Sequence, residues 1–184
     1  ELPEDVLKER TDAMPLPFME GTRKHDVPDV DAVRALLASA ERPLVLAGAG
    51  VLRTAASEAL RSFVSAWNIP TAMSWMGAGA VAFDDELGLN TVGLRRADAV
   101  RAAFEEADLI ILVGFDLIEF EPRYWRIGCE KTVAYIGAVP CDAVPGFRPD
   151  VEIVGDLRGL LGALSRRPNR KTGWASDIRR QLHD

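Results

Sequence analysis

A doubly wound α/β fold, with a parallel sheet of five to six strands and helices on both faces, is what this sequence predicts. Three observations carry the prediction. Short apolar runs alternate with stretches of helical periodicity along most of the chain. The run Leu109 to Val113 has no polar alternation, which is how a strand covered on both faces by helices reads. Three strand-like runs lead into glycine turns, at Gly48 and Gly50, at Gly77 and at Gly114, so the glycines fall on one edge of the sheet. Strands joined by helices of this length imply parallel pairing through right-handed crossovers.

Residues 1 to 28 hold Pro3, Pro15, Pro17 and Pro28 among mixed charges without a sustained period, and read as a linker. The central domain is expected to span 29 to 165. Val33, Leu36, Leu37 and Ala40 recur at helical spacing behind Asp29 or Asp31 as the expected N-cap. Leu44 to Ala47 is the first strand. Past the glycine turn, Ala56, Leu60, Phe63, Val64 and Trp67 form a second helical stripe, with Thr54 as its expected capping hydroxyl and Asn68-Ile69-Pro70 as its stop. Thr71 to Ser74 is the next strand. Val100, Ala103, Phe104 and Ala107 make a third stripe, and Asp108 separates it from Leu109 to Val113. Thr132 to Ile136 and Val151 to Val154 complete the strands, and Leu157, Leu160, Leu161 and Leu164 behind Asp156 make a closing helix. Residues 166 to 184 read as a basic linker and a short helix whose spaced Trp174, Ile178 and Leu182 would seek a partner.

Composition narrows the function classes. A chain of 184 residues that is 48% hydrophobic can bury a core in one domain. Its net charge of -6, with both signs interspersed, argues against nucleic acid and against an anionic membrane surface as partners. No apolar run approaches the roughly 20 residues that cross a bilayer, and no signal pattern opens the chain, so a cytoplasmic location is expected. Cys129 and Cys141 have no metal-ligand spacing and read as free thiols in a reducing compartment. The chain opens at Glu1 without a methionine, which suits a piece of a longer protein.

The candidate ligand rim is Gly48, Gly50, Met76, Gly77, Gly114 and Asp116. Glycine lets a backbone turn tightly and lets a ligand approach it, and the helix that follows aims free N–H groups at a phosphate. The dinucleotide fingerprint is nonetheless incomplete. Arg53 stands where a third small residue belongs, and Thr71 to Ser74 offers no carboxylate for a ribose. On spacing alone, a turn that merely closes the fold is favoured over an NAD site. Asp116 could accept from a ribose or ribityl hydroxyl, or cap a following helix. The carboxylates Asp84-Asp85-Glu86, Glu119 and Glu121 read as solvated turns. His25 and His183 lack partners at a catalytic spacing, so no catalytic residue and no metal ligand is assigned.

Six ordered stretches, Glu1 to Val6, Arg42 to Val51, Ile69-Pro70, Met76 to Ala80, Ala107 to Pro122 and Pro149 to Asp156, resemble the central domain of thiamine diphosphate enzymes of the acetolactate synthase type. The resemblance covers nearly the whole chain. It implies a Rossmann-like domain of the DHS-like NAD/FAD-binding kind, set between a pyrimidine-binding and a diphosphate-binding domain of a homo-oligomeric enzyme. Thiamine diphosphate and Mg²⁺ would be bound by those other domains. The family's Gly-Asp-Gly motif is absent, since Gly155-Asp156 is followed by Leu157 and looks like the close of the central domain. The activating glutamate belongs to the first domain, so this chain alone is expected to be catalytically silent. The parent reaction implied is decarboxylation of a 2-oxo acid such as pyruvate and addition to an acceptor carbonyl.

Members of this family divide into those that bind FAD and those that have lost it. Ile136-Gly137 replaces a common Ile-Asp, and the stretch from Phe115 to Pro122 looks like that of flavin-free, catabolic-type synthases. An empty, vestigial cleft in a scaffold domain is therefore expected. A free-standing NAD- or FAD-binding module and a ligand-free interaction domain are the alternatives.

Overall fold

A computed structural model describes residues 10, 30–93, 100–128, 131–142, 144–166, 168, 171 and 173–183. The linker expected over 1–28 lies, apart from Arg10, outside the described residues, as do His25 and Cys129. In chain order the elements are α1 (Asp31–Ser39), β1 (Pro43–Ala47), α2 (Ala49–Arg53), α3 (Ser57–Trp67), β2 (Thr71–Ser74), a 3₁₀ turn (Trp75–Gly77), β3 (Gly88–Val92), α4 (Arg101–Glu106), β4 (Leu109–Val113), α5 (Pro122–Trp125), β5 (Thr132–Gly137), β6 (Val151–Val154), α6 (Leu157–Leu164) and α7 (Ser176–His183).

The six strands form one sheet in the order β3-β2-β1-β4-β5-β6, and every adjacent pair runs parallel. Strand order therefore reverses between β1 and β4. In such sheets the crevice outside the carboxyl ends of the two reversing strands is where ligands bind.

The inner strands β1, β4 and β5 are apolar on both faces because each face meets its own layer of helices. Val45, Ala47, Ile111, Val113, Ala134 and Ile136 pack with Val33 and Leu37 of α1, with Leu60, Phe63, Val64 and Trp67 of α3, and with the leucines of α6. Leu44, Leu46, Ile110, Leu112, Val133 and Tyr135 pack on the other face with Val100, Ala103 and Phe104, with Trp125, and with Ala175 and Ile178. Two buried indoles fasten segments within each layer. Trp67 Nε1 donates to the Leu164 carbonyl at 2.8 Å, and Trp125 Nε1 to that of Phe120 at 2.8 Å. Trp125 also meets Phe147 edge to face with centroids 5.4 Å apart.

Several local expectations hold. Asn68 ends α3 in the left-handed conformation, φ 60°. Asp156 caps α6, its Oδ2 accepting from Gly159 N at 2.9 Å. The apolar face of the terminal helix finds its partner in this same chain: Ala175 and Ile178 are buried, Trp174 and Leu182 pack beside them, and Trp174 Nε1 donates to the Pro43 carbonyl at 3.1 Å.

Other expectations are corrected. The helix after the glycine turn is two helices, parted at Ala55 with φ 52°. Thr54 does not cap α3; its hydroxyl donates back to the Gly50 carbonyl at 2.8 Å, closing the end of α2. Nor does Asp31 cap α1: Val30 holds that position without a side-chain bond, and Asp31 stands within the first turn, where its charge still favours the helix dipole. Asp29 lies outside the described residues. The edge strand β3 was not expected. Asn90 has φ 66° and the pairing of β3 with β2 is irregular, so no two-residue period shows in the sequence.

Candidate functional site

The reversal between β1 and β4 brings three of the glycine-bearing loops onto one another. Gly48 N donates to the Val113 carbonyl at 2.9 Å, Gly50 N to that of Gly114 at 2.8 Å, and Gly114 N to that of Ile136 at 2.8 Å. The loops touch backbone to backbone. A Cβ on Gly48 would lie 2.5 Å from Phe115 Cα, one on Gly50 2.6 Å from the Gly114 oxygen, and one on Gly77 2.6 Å from the Ala47 oxygen. Real Cβ atoms do not come that close to main chain, so these positions demand glycine for packing, whatever a ligand requires.

The main-chain N–H at the start of α2 is engaged from within the chain. Glu119, five residues past Gly114, sets its carboxylate against Ala49 N, with Oε1 at 3.1 Å and Oε2 at 3.2 Å. The same carboxylate accepts the hydroxyl of Ser74, at the end of β2. Ser74 Oγ in turn accepts from Gly77 N at 3.0 Å, closing the 3₁₀ turn. One carboxylate thus ties the loops that follow β1, β2 and β4. The reading of Glu119 as a solvated turn residue is corrected by these contacts. Its partners lie 70 and 45 residues away, and only the strand order brings them together.

The remaining candidates behave differently. Asp116 Oδ1 accepts from Ile118 N at 3.0 Å, so its carboxylate closes its own turn. Met76 is 60% exposed beside Trp75 at 57%. The rim glycines Gly48, Gly50, Gly77 and Gly114 are drawn together, whereas Met76 stands out from them. Glu121 is exposed and pairs with Arg123 at 2.9 Å, and Asp85 accepts from Leu87 N within its own turn.

Beyond β5 the phenol of Tyr135 folds back over the following backbone. A Cβ on Gly137 would fall 2.5 Å from the Tyr135 oxygen, which itself donates to the Val139 carbonyl at 3.0 Å. Burial, with the nearby Cys141, Glu152, Asp116 and Asp142, pushes the Tyr135 phenol well above its usual range, so it stays a neutral donor. Burial and then Glu152, Asp142 and Asp116 push the Cys141 thiol up to about 11. Such a thiol is a poor nucleophile and a poor metal ligand near neutral pH. Among the described residues no group of three or more His, Cys, Asp or Glu is arranged to hold a metal ion, and no helix is long and apolar enough to cross a membrane.

Strand order 3-2-1-4-5-6 with glycine turns at the reversal defines a doubly wound domain of the nucleotide-binding type, here with its rim engaged by its own backbone and one carboxylate. The model of the thiamine pyrophosphate enzyme central domain matches residues 30–164, and the chain belongs to that family. Curated relatives agree. An acetolactate synthase of Bacillus subtilis (strain 168) is 24% identical over 192 residues, covering 99% of this chain and 34% of the relative. The catabolic acetolactate synthase of Raoultella terrigena is 30% identical over 183 residues, covering 96% and 33%. The acetolactate synthase isozyme 2 large subunit of Escherichia coli (strain K12) is 31% identical over 154 residues, covering 79% and 27%. The X-ray structure of a candidate thiamin diphosphate-dependent enzyme from Mycobacterium smegmatis shares the fold, with a TM-score of 0.64 at 22% identity over 79% of this chain and 28% of that one. The chain spans about a third of the length of the first of these relatives.

Proposed function

We propose that this chain is the central scaffold of a larger thiamine diphosphate-dependent enzyme of the acetolactate synthase type. The parent decarboxylates a 2-oxo acid and joins the remaining unit to an acceptor carbonyl. Thiamine diphosphate supplies that carbon–carbon chemistry when bound. This chain's residues do not fit the group or its Mg²⁺. Asp156, in the position most like the family's metal motif, is committed to Gly159 N as a helix cap. The work of the chain is therefore to hold its neighbours in place.

The observation that carries the scaffold reading is where the exposed apolar side chains fall. Of the seven exposed large apolar side chains among the described residues, five, Leu52, Trp75, Met76, Ile118 and Val139, lie on segments leaving the carboxyl ends of β1, β2, β4 and β5; Phe83 and Tyr124 are the other two. An apolar row along one edge is what a covered surface looks like. The reading assigns it to contacts with the flanking domains of a homo-oligomeric, cytosolic parent, with the loop from Trp75 to Ala80 close to the substrate entrance. The parent works without FAD, because Gly137 offers no acid to a ribose and the Ala49 N–H at the rim is taken by the Glu119 carboxylate.

The test is a Trp75→Ser, Ile118→Ser variant in the full-length parent. Activity and subunit association are expected to fall, while the isolated domain unfolds at the same denaturant concentration as before. Unchanged activity and association overturn the scaffold reading. For the flavin, the purified chain is titrated with FAD, and saturable micromolar binding overturns the flavin-free reading.

A further inference from the structure

We infer that Glu119 is a built-in stand-in for a ligand's phosphate: its carboxylate, and no bound nucleotide, orders the loops at the sheet reversal. The inference rests on the flavin-free reading and adds the residue responsible. At a dinucleotide turn, main-chain N–H groups meet the oxygens of a diphosphate. Here both oxygens of Glu119 lie within 3.2 Å of Ala49 N, and one of them also takes the Ser74 hydroxyl. A carboxylate offers the same features as a phosphate edge: negative charge and two acceptor oxygens in a plane. Charge-assisted bonds of this type are about twice as strong as neutral ones.

The geometry at Gly48 fits the same account. A Cβ there would sit 3.2 Å from Glu119 Oε1, besides its closer clashes with Gly114 and Phe115, so the glycine makes room for a side chain of its own protein. A second contact points the same way. At the carboxyl end of β5 the Tyr135 ring covers the backbone of Gly137, its hydroxyl donating to the Val139 carbonyl. A dinucleotide would have to displace Glu119 from two partners and Tyr135 from one. The cleft is occupied by the chain itself.

Hydrogen exchange of the wild-type chain, Glu119→Ala and Glu119→Gln tests this, with and without FAD or inorganic pyrophosphate. The Ala49 and Gly77 amides of Glu119→Ala should exchange at least tenfold faster than in wild type, while Leu46 and Leu112 in the sheet stay unchanged and certify the fold. Glu119→Gln, which keeps one acceptor oxygen, should fall between. Adding FAD or pyrophosphate to wild type should leave Ala49 exchange unchanged. Equal Ala49 exchange in wild type and Glu119→Ala, without FAD binding, overturns the role of Glu119 alone. FAD that binds wild type and slows Ala49 exchange overturns both this inference and the flavin-free reading.

Discussion

Replacing Gly114 with alanine tests whether the rim is closed by backbone contact. Gly114 has φ 54°, and an added Cβ would lie 2.6 Å from Val51 N and 2.9 Å from Gly50 C. The left-handed conformation costs a residue with a Cβ about 1–2 kcal/mol. Forcing the methyl against main chain adds about 1–3 kcal/mol, because neither neighbour is the movable end of a side chain. The sum is about 2–5 kcal/mol. In a chain of this length each kcal/mol moves the melting temperature by about 2–4 °C, so a fall of about 4–20 °C is expected.

Gly162 is the control. It lies exposed in the interior of α6, and nothing stands within 4 Å of an added Cβ. The identical chemical change there should stabilise by about 0.5–1 kcal/mol through helix propensity. Differential scanning calorimetry and urea unfolding on the two variants read opposite signs. If Gly114→Ala melts with or above wild type, the loops are not in the contact described.

Three more outcomes are expected. Asp156→Ala loses the cap on α6 and costs about 1 kcal/mol in urea unfolding, yet leaves magnesium activation of the parent unchanged; a loss of magnesium affinity would tie Asp156 to the metal. Trp67→Phe leaves the Leu164 carbonyl without its buried donor, and a loss of about 1–3 kcal/mol by urea unfolding is expected. Alkylation of Cys141 should accelerate with pH towards a midpoint near 11 rather than the ordinary 9. Because the folded value is raised, the stability the half-buried thiol contributes is full below pH 9 and is lost as pH climbs from 9 towards 11. A midpoint at or below 9 would refute the burial argument.

Much of the architecture was legible in the chain because its signals are local. Leu109 to Val113 announces a strand covered on both faces, and each of its residues is buried. Asn68 stops α3, and Asp156 starts α6, through bonds to neighbours within a few residues. The resemblance to the central domain of thiamine diphosphate enzymes was readable for a related reason, since ordered motifs survive in sequence where each is a turn or strand end. Where local rules compete, the sequence misled. Thr54 has a hydroxyl suited to capping the next helix, but the carbonyl of Gly50 is closer at hand and takes it.

What the chain determined by itself is therefore the alternation of strands and helices, the depth at which the strands lie and the glycines at their ends. Strand order was decided only by the tertiary fold, which turns residues 70 apart into partners at Glu119 and Ala49. A carboxylate in a loop reads as solvated until the sheet reversal brings an unpaired N–H and a hydroxyl against it. The same reversal packs the glycines into the contact surface of three loops, because main chain packed on main chain leaves no volume for a side chain.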